Sequence, residues 1–306
     1  LNNNDLLKVY LGLSAATIFW GLSFVATKIA LETIPPFILI FTRFSIAAFI
    51  LMLFLLRSGF PKLTIKEHGL LLMTAVFEPG LYFIFETTGL QYTTASKASL
   101  IIATIPLTVI LFSFLFLKER TRAGSIAGFA LSFVGIGILV AGDPQFKLEL
   151  KGSFLGDILI FGAVLSAAFY FIIVRNLGKT QAALGITFYQ FFYGSLLYLP
   201  AFLIETRNFQ WEGISTVSMG ALIYLTFFAT VGAYFCYNFA LTRISASRTS
   251  VFINCIPVVT AIGAWALIGE TLTIVQLCGG VLVLFSVIMT SFPFRKRPLK
   301  LEESPA

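Results

Sequence analysis

The chain has 306 residues, of which 58% are hydrophobic and 11% charged, and its mean hydropathy is +0.94. So few charges cannot cover the surface of a soluble domain of that length, which makes the protein integral to a membrane. The net charge of +7 does not point to nucleic acid, because the basic residues fall in short runs between apolar stretches and not along one amphipathic face.

A hydrocarbon core of about 30 Å takes roughly 20 residues of helix, with backbone polar groups bonded inside the segment. Ten runs meet that requirement: 8–30, 35–56, 69–90, 97–117, 123–141, 154–174, 183–204, 217–239, 247–268 and 272–293. The first is too long for a signal-peptide core and lacks a small-residue cleavage site, so it is expected to remain as a spanning helix. Connections are short and carry breakers: Pro35-Pro36, Gly59-Phe60-Pro61, Gly142-Asp143-Pro144, and Pro293 at the end of the last span. Cys236, Cys255 and Cys278 lie in apolar runs without CxxC spacing and read as buried, reduced thiols.

The chain says one stretch twice. Shifted by 151 positions without a gap, Leu90, Ala95, Ser96, Ser99, Pro106, Glu119 and Gly128 fall on Leu241, Ala246, Ser247, Ser250, Pro257, Glu270 and Gly279, and Lys97 meets Arg248. Two unrelated apolar runs would share scattered Leu and Ile, not Pro, Glu, a basic residue and an Ala-Ser pair in one register. The front ends repeat at an offset of 147, where Lys28 meets Arg175 and Arg43 meets Gln190. The four-residue difference is placed in the polar stretch Glu205 to Gly213, and the halves are set at 5–145 and 152–294.

Five spans per half is an odd number, so the second copy enters the membrane inverted. The expected fold is an all-α membrane protein of ten transmembrane helices in two inverted five-helix repeats. On one side lie Lys8, Arg57, Lys62, Lys66, Lys118, Arg120, Arg122, Arg175, Lys179, Arg243, Arg248, Arg295, Lys296, Arg297 and Lys300. Only Lys28, Lys97, Lys147, Lys151 and Arg207 lie on the other, which places both termini in the cytoplasm and the protein in the cell (inner) membrane. The loop 118–122 is strongly basic and its duplicate 269–273 has no positive charge, as opposite compartments require.

Several motifs in order then resemble one family: Trp20-Gly21-x-Ser23-Phe24, Arg43, Gly89 to Ser96, Pro106 and Lys118-Glu119-Arg120 in the first copy, and Gly156-Asp157, Ala240-Leu241, Pro257 and Gly269-Glu270 in the second. The chain resembles the drug/metabolite transporter superfamily, in its EamA-type ten-helix form. The resemblance implies an inverted-repeat carrier of small metabolites, often amino acids or related compounds and frequently outward, with the substrate left open. The second half departs from it at Ala167-Ala168 and Gln190, where Trp, Gly and Arg are missing.

Function is best sought where the copies differ. Glu78 and Glu86 in the third span meet Ala229 and Tyr237 in the eighth. An intramembrane carboxylate costs about 2.5–3.5 kcal/mol on insertion scales and must face protein, water or a partner. Glu78 lies roughly 14 Å into its span at the helical rise, near the midplane, beside Pro79-Gly80, where the helix is expected to open. Tyr82 and Phe85 continue its stripe. It either binds a cationic group or exchanges a proton, or else is a protonated, hydrogen-bonded interior Glu. Arg43 is expected to pair with Glu86 or to bind a substrate carboxylate. With Lys97 and Lys28 they make a candidate outer gate, against the plainer reading that the two lysines reach to the interface.

Arg175 and Arg248 form the corresponding inner cluster, or simply obey the positive-inside preference. Trp20, Tyr234, Tyr237, Asn238, Gln190 and Asn254 are candidate substrate contacts, and Asp157 reads as a cap at a helix start. Gly124-x-x-x-Gly128 with Ser132 reads as close helix packing, internal to a monomer or across a homodimer.

No cofactor and no metal site is expected: His68, the only histidine, has no HExxH motif or Cys partner, which also argues against an enzyme. Gly178-Lys179-Thr180 falls short of a P-loop, since Ile173 stands where the first glycine would. The partners expected are a small-molecule substrate and the lipid bilayer. The open alternatives are a multidrug or organic-cation carrier of the same fold, and a channel or non-transporting receptor.

Overall fold

The breakers in the sequence become helix ends and helix interruptions. In the computed structural model, which describes residues 3–117, 123–177, 183–241, 252 and 254–291, the described residues form α1 (Asn3–Leu31), α2 (Pro36–Ser58) and α3 (Ile65–Gly89). There follow α4 in two pieces (Ala95–Ile102 and Ile105–Leu117), α5 (Ala123–Ala141), α6 (Gly152–Leu177) and α7 (Ala183–Glu205). The last three are α8 in consecutive pieces (Thr216–Tyr224, Leu225–Gly232 and Ala233–Leu241), α9 (Ile256–Ile268) and α10 (Ile274–Ser291). Seven of these are long and apolar enough to cross a membrane, and the other three are shorter apolar helices. The protein is an all-helical, multi-pass membrane protein.

Local chemistry explains the ends. α3 starts earlier than its apolar run, because Thr64 and Glu67 form a reciprocal capping box ahead of it. Pro36 opens α2, and its free Ile38 N–H is taken by Glu205 from the end of α7 at 2.9 Å. The polar stretch Glu205 to Gly213 folds into two short 3₁₀ turns, Thr206–Asn208 and Trp211–Gly213.

Packing obeys a two-fold rule. α5 lies on α10 and α2 on α7; α3 and α4 lie on α6, while α8 and α9 lie on α1. Exchanging each helix with its copy five places on leaves that pattern unchanged. The faces meet across the halves, so neither half buries its own small-residue faces alone. A Cβ at Gly279 of α10 would lie 2.6 Å from the Leu139 nitrogen of α5, and one at Gly21 of α1 would lie 2.6 Å from Val259 of α9. Gly21 in the Trp20-Gly21-x-Ser23 motif is thus a packing residue. The close approach to α10 falls at Gly135 in α5 and at Gly142 just after it, while the surroundings of Gly124 are not described.

The C-terminal end of α1 and the N-terminal end of α6 meet the same loop, Lys28 through the Thr93 carbonyl and Asp157 through the Thr93 hydroxyl. The two copies therefore run in opposite directions. Large apolar side chains such as Phe49, Phe54, Phe116, Trp265 and Phe285 stand exposed around the outside, a belt suited to lipid. Cys255 and Cys278 are exposed and Cys236 half-buried, which corrects the expectation of buried thiols; all three are unbridged.

Candidate functional site

The irregular backbone lies at matching places in the two copies. α3 opens at Val76–Leu81 and α8 at Leu225–Gly232, each through a wide π-type turn near the middle of the span. In α3 the cause is Pro79, which has no N–H to give, and Glu78 leaves helical geometry at φ −145°, ψ 115°. Carbonyls freed in this way need donors at membrane depth. Ser166 of α6 donates to Phe77 O at 2.7 Å, and the Tyr198 hydroxyl of α7 lies against the Pro79 carbonyl at 2.9 Å and against that of Gly80. In α8 the Trp20 indole donates to Ala229 O at 3.0 Å and the Thr230 hydroxyl to Leu225 O at 2.8 Å. Each opened turn is thus bonded from the opposite half, and that of α8 also within its own helix through Thr230.

Around these turns the structure gathers most of the residues singled out above. Glu78 Oε1 accepts from the Tyr234 hydroxyl at 3.2 Å, and Tyr234 meets the Trp20 ring edge-on at 5.5 Å. Tyr237 closes on the same indole at 5.2 Å. All four of these residues are half-buried, as are Tyr82 and Phe85. Because Glu78 departs from the helix, the even stripe expected for Glu78, Tyr82 and Phe85 is broken: Tyr82 stays within electrostatic reach of Glu78 and Glu86, while Phe85 packs over Gly162 of α6.

Arg43 is buried, and its Nε donates to Thr230 Oγ1 at 2.5 Å. Its guanidinium lies 4.9 Å from the Phe83 ring centre and 5.3 Å from that of Phe44. Glu86, also buried, takes its hydrogen bond from Thr87 at 3.4 Å. The two charges feel one another, but among the described residues no ion pair joins them. The expected Arg43–Glu86 bridge is therefore corrected: the reach of Arg43 is spent on α8, where Thr230 turns toward it at the opened turn.

Gln190, the counterpart of Arg43, is 1% exposed; it accepts from Tyr170 at 3.2 Å, and its Nε2 has no partner among the described residues. Asn254 is half-buried at the turn that precedes Ile256-Pro257. The side chains of Asn238 and Arg175, together with Arg248 and Gly178-Lys179-Thr180, lie outside the described residues.

Lys28 and Lys97 do not join Arg43 and Glu86 but pair elsewhere. Lys97 has no exposed surface; its ammonium holds Asp143 and Asp157 at 2.7 Å each and Ser153 at 2.8 Å. Asp157 lies a turn inside α6 and accepts from Thr93 at 2.6 Å, so it is a buried ion-pair partner and not a helix cap. Lys28 pairs with Glu270 at 2.8 Å, and Glu270 in turn accepts from the free Ala95 N–H at the start of α4, at 2.9 Å. Partial burial raises the Asp143 carboxyl, but hydrogen bonds from Lys97, Ser153 and the Gln145 N–H outweigh it and hold the group below its ordinary value. The network ties α1, α4 and the connection between the halves to α6 and the loop before α10.

Sequence reasoning missed Ser166, Tyr170, Tyr198 and Thr230, which act on groups distant in the chain; only their polarity within apolar runs marked them. His68 bonds Tyr193 at 2.7 Å, and no group of metal-ligating side chains occurs among the described residues.

A family model for the EamA-like transporter family matches the chain twice, over residues 7–141 and 154–292. The "Uncharacterized transporter YetK" of Bacillus subtilis is 27% identical over 283 residues, 92% of this chain and 86% of its own length. The "Probable amino-acid metabolite efflux pump" of Salmonella typhimurium is 28% identical over 286 residues, with 92% of this chain and 93% of that protein covered. A solved structure described only as "Crystal structure of protein" has a TM-score of 0.65 at 15% identity over 93% of this chain and 98% of its own, a likeness of fold. Two matched copies and relatives named as transporters give one conclusion: the chain belongs to the EamA-like transporter family.

Proposed function

We propose that the chain is a secondary active exporter of small metabolites, amino acids or related compounds, working by alternating access. The halves 5–145 and 152–294 are the two rocking bodies, and Glu78 is the proton-coupling group. The observation that supports this reading is the pair of matched openings near the middle of α3 and α8, one beside a carboxylate and the other beside a guanidinium. A zwitterion uses both signs. The name of the Salmonella typhimurium relative supports the substrate class and direction.

Both termini are placed in the cytoplasm, in the cell membrane, on the basic-residue asymmetry. A second reading, an organic-cation carrier, is favoured by the aromatic surround of Glu78, formed by Trp20, Tyr234 and Tyr237.

Counterflow of labelled amino acids into proteoliposomes is the test. Saturable exchange is expected, whereas a channel or receptor has no exchange mode. Glu78→Gln should abolish uptake driven by a proton gradient while exchange persists at raised substrate concentration; unchanged gradient-driven uptake would remove Glu78 from coupling.

A further inference from the structure

A cavity of about 600 Å³ opens between α2 of the first half and α7 and α8 of the second. Its outer rim is Phe54, Phe227 and Phe235, which stand exposed on the flank of the bundle where lipid lies. Its inner wall carries Thr230 and Tyr234, the two side chains bonded to Arg43 and to Glu78. Apart from Thr187, the remaining wall is apolar, from Leu51, Phe191 and Val231 among others. An apolar chamber of this size, ending on two hydroxyls bonded to a guanidinium and a carboxyl group, has the form of a ligand site with a polar head and a hydrophobic body.

We infer that this cavity is the side pocket of the Arg43–Glu78 site, takes the apolar body of an amphipathic substrate whose charged head lies at those two residues, and gives that substrate a lateral path to the bilayer. The inference rests on the transport reading and narrows its substrate class. An acyl chain alone would fill the apolar part without needing the hydroxyl floor, so the floor favours the substrate as occupant. Because the walls come from both halves, their rocking would widen and narrow the pocket, and its occupant would sense the state of the carrier.

The probes are two homologous series: straight-chain 2-amino acids from glycine to norleucine, and n-alkylammonium ions from methyl to pentyl. Each is titrated by thermal stabilisation of the full-length purified protein. In the wild type each added methylene should tighten half-saturation about fourfold. Leu51→Trp, which fills the pocket away from Arg43 and Glu78, should flatten that dependence while leaving the shortest member unchanged. Leu51→Ala, which enlarges it, should extend the dependence to longer chains and carries the test alone if the Trp variant does not fold.

A chain-length dependence unaltered by both variants overturns the inference. So does an absence of chain-length dependence in both series combined with stabilisation by added phospholipid that Leu51→Trp abolishes, since the occupant is then a lipid. A dependence seen only with the ammonium series sinks the amino-acid reading and leaves the pocket standing.

Discussion

Lys97→Met is the perturbation whose size the structure defines best. The ammonium is fully buried, 2.7 Å from both Asp143 and Asp157, and Asp157 itself is 4% exposed. Asp157 Oδ2 has that ammonium as its ion-pair partner and no well-aligned hydrogen bond besides among the described residues. Removing the cation leaves two carboxylates facing one another with the desolvation of at least one uncompensated. Breaking a buried pair in this way costs about 3–5 kcal/mol. At 1.36 kcal/mol per decade, the unfolding equilibrium should shift by about 10² to 10⁴.

Equilibrium unfolding in detergent measures it, with Lys66→Met as an exposed control. Asp157→Asn alone should also destabilise, and Lys97→Met with Asp157→Asn should cost less than the sum, because the double variant removes both members of the pair. A Lys97→Met protein as stable as the Lys66→Met control would refute the account of this network as what fastens the Lys28 end.

Asp143 gives a pH test. Its carboxyl is held below the ordinary value, so its contribution is complete above about pH 4 and is lost as the pH falls through the lowered value. Stability measured from pH 6 down to 3 should drop less steeply in Asp143→Asn, and identical slopes would remove Asp143 as the cause. For Arg43 and Glu86, exchanging the two residues should not rescue transport lost in either single variant, since Arg43 depends on Thr230 and on the Phe44 and Phe83 rings. Recovery of activity in the exchanged protein would restore the direct pair. Gly21→Val should destabilise by roughly 1–3 kcal/mol, the usual cost of overpacking, because its side chain would meet Val259 of α9; a variant unfolding like the wild type would count against that contact.

The span count and the duplication were legible in the sequence because both are written along one dimension. The length of an apolar run measures the bilayer, and Pro106 and Pro257 recur in register because both copies keep the same break, after Ala103-Thr104 in one and Asn254-Cys255 in the other. The opening at Pro79 was legible for the same reason: a residue without an N–H interrupts a helix whatever surrounds it. Its match in α8 was not, because Leu225–Gly232 contains no proline and opens with the Thr230 hydroxyl on a carbonyl of its own helix. The Lys97 triad was invisible too, since Asp143 read as a loop residue and Asp157 as a cap, and nothing in their spacing shows that α4 brings a lysine between them.

By itself the sequence determined an all-helical membrane protein of two copies in opposite polarity, because hydropathy and odd helix number act segment by segment. Only the tertiary structure decided that the copies bind through each other's faces, that Arg43 turns to Thr230 and not to Glu86, and that Lys97 lies between two aspartates. Ion pairing depends on distances of a few ångströms between helices remote in the chain, and those distances are set by packing.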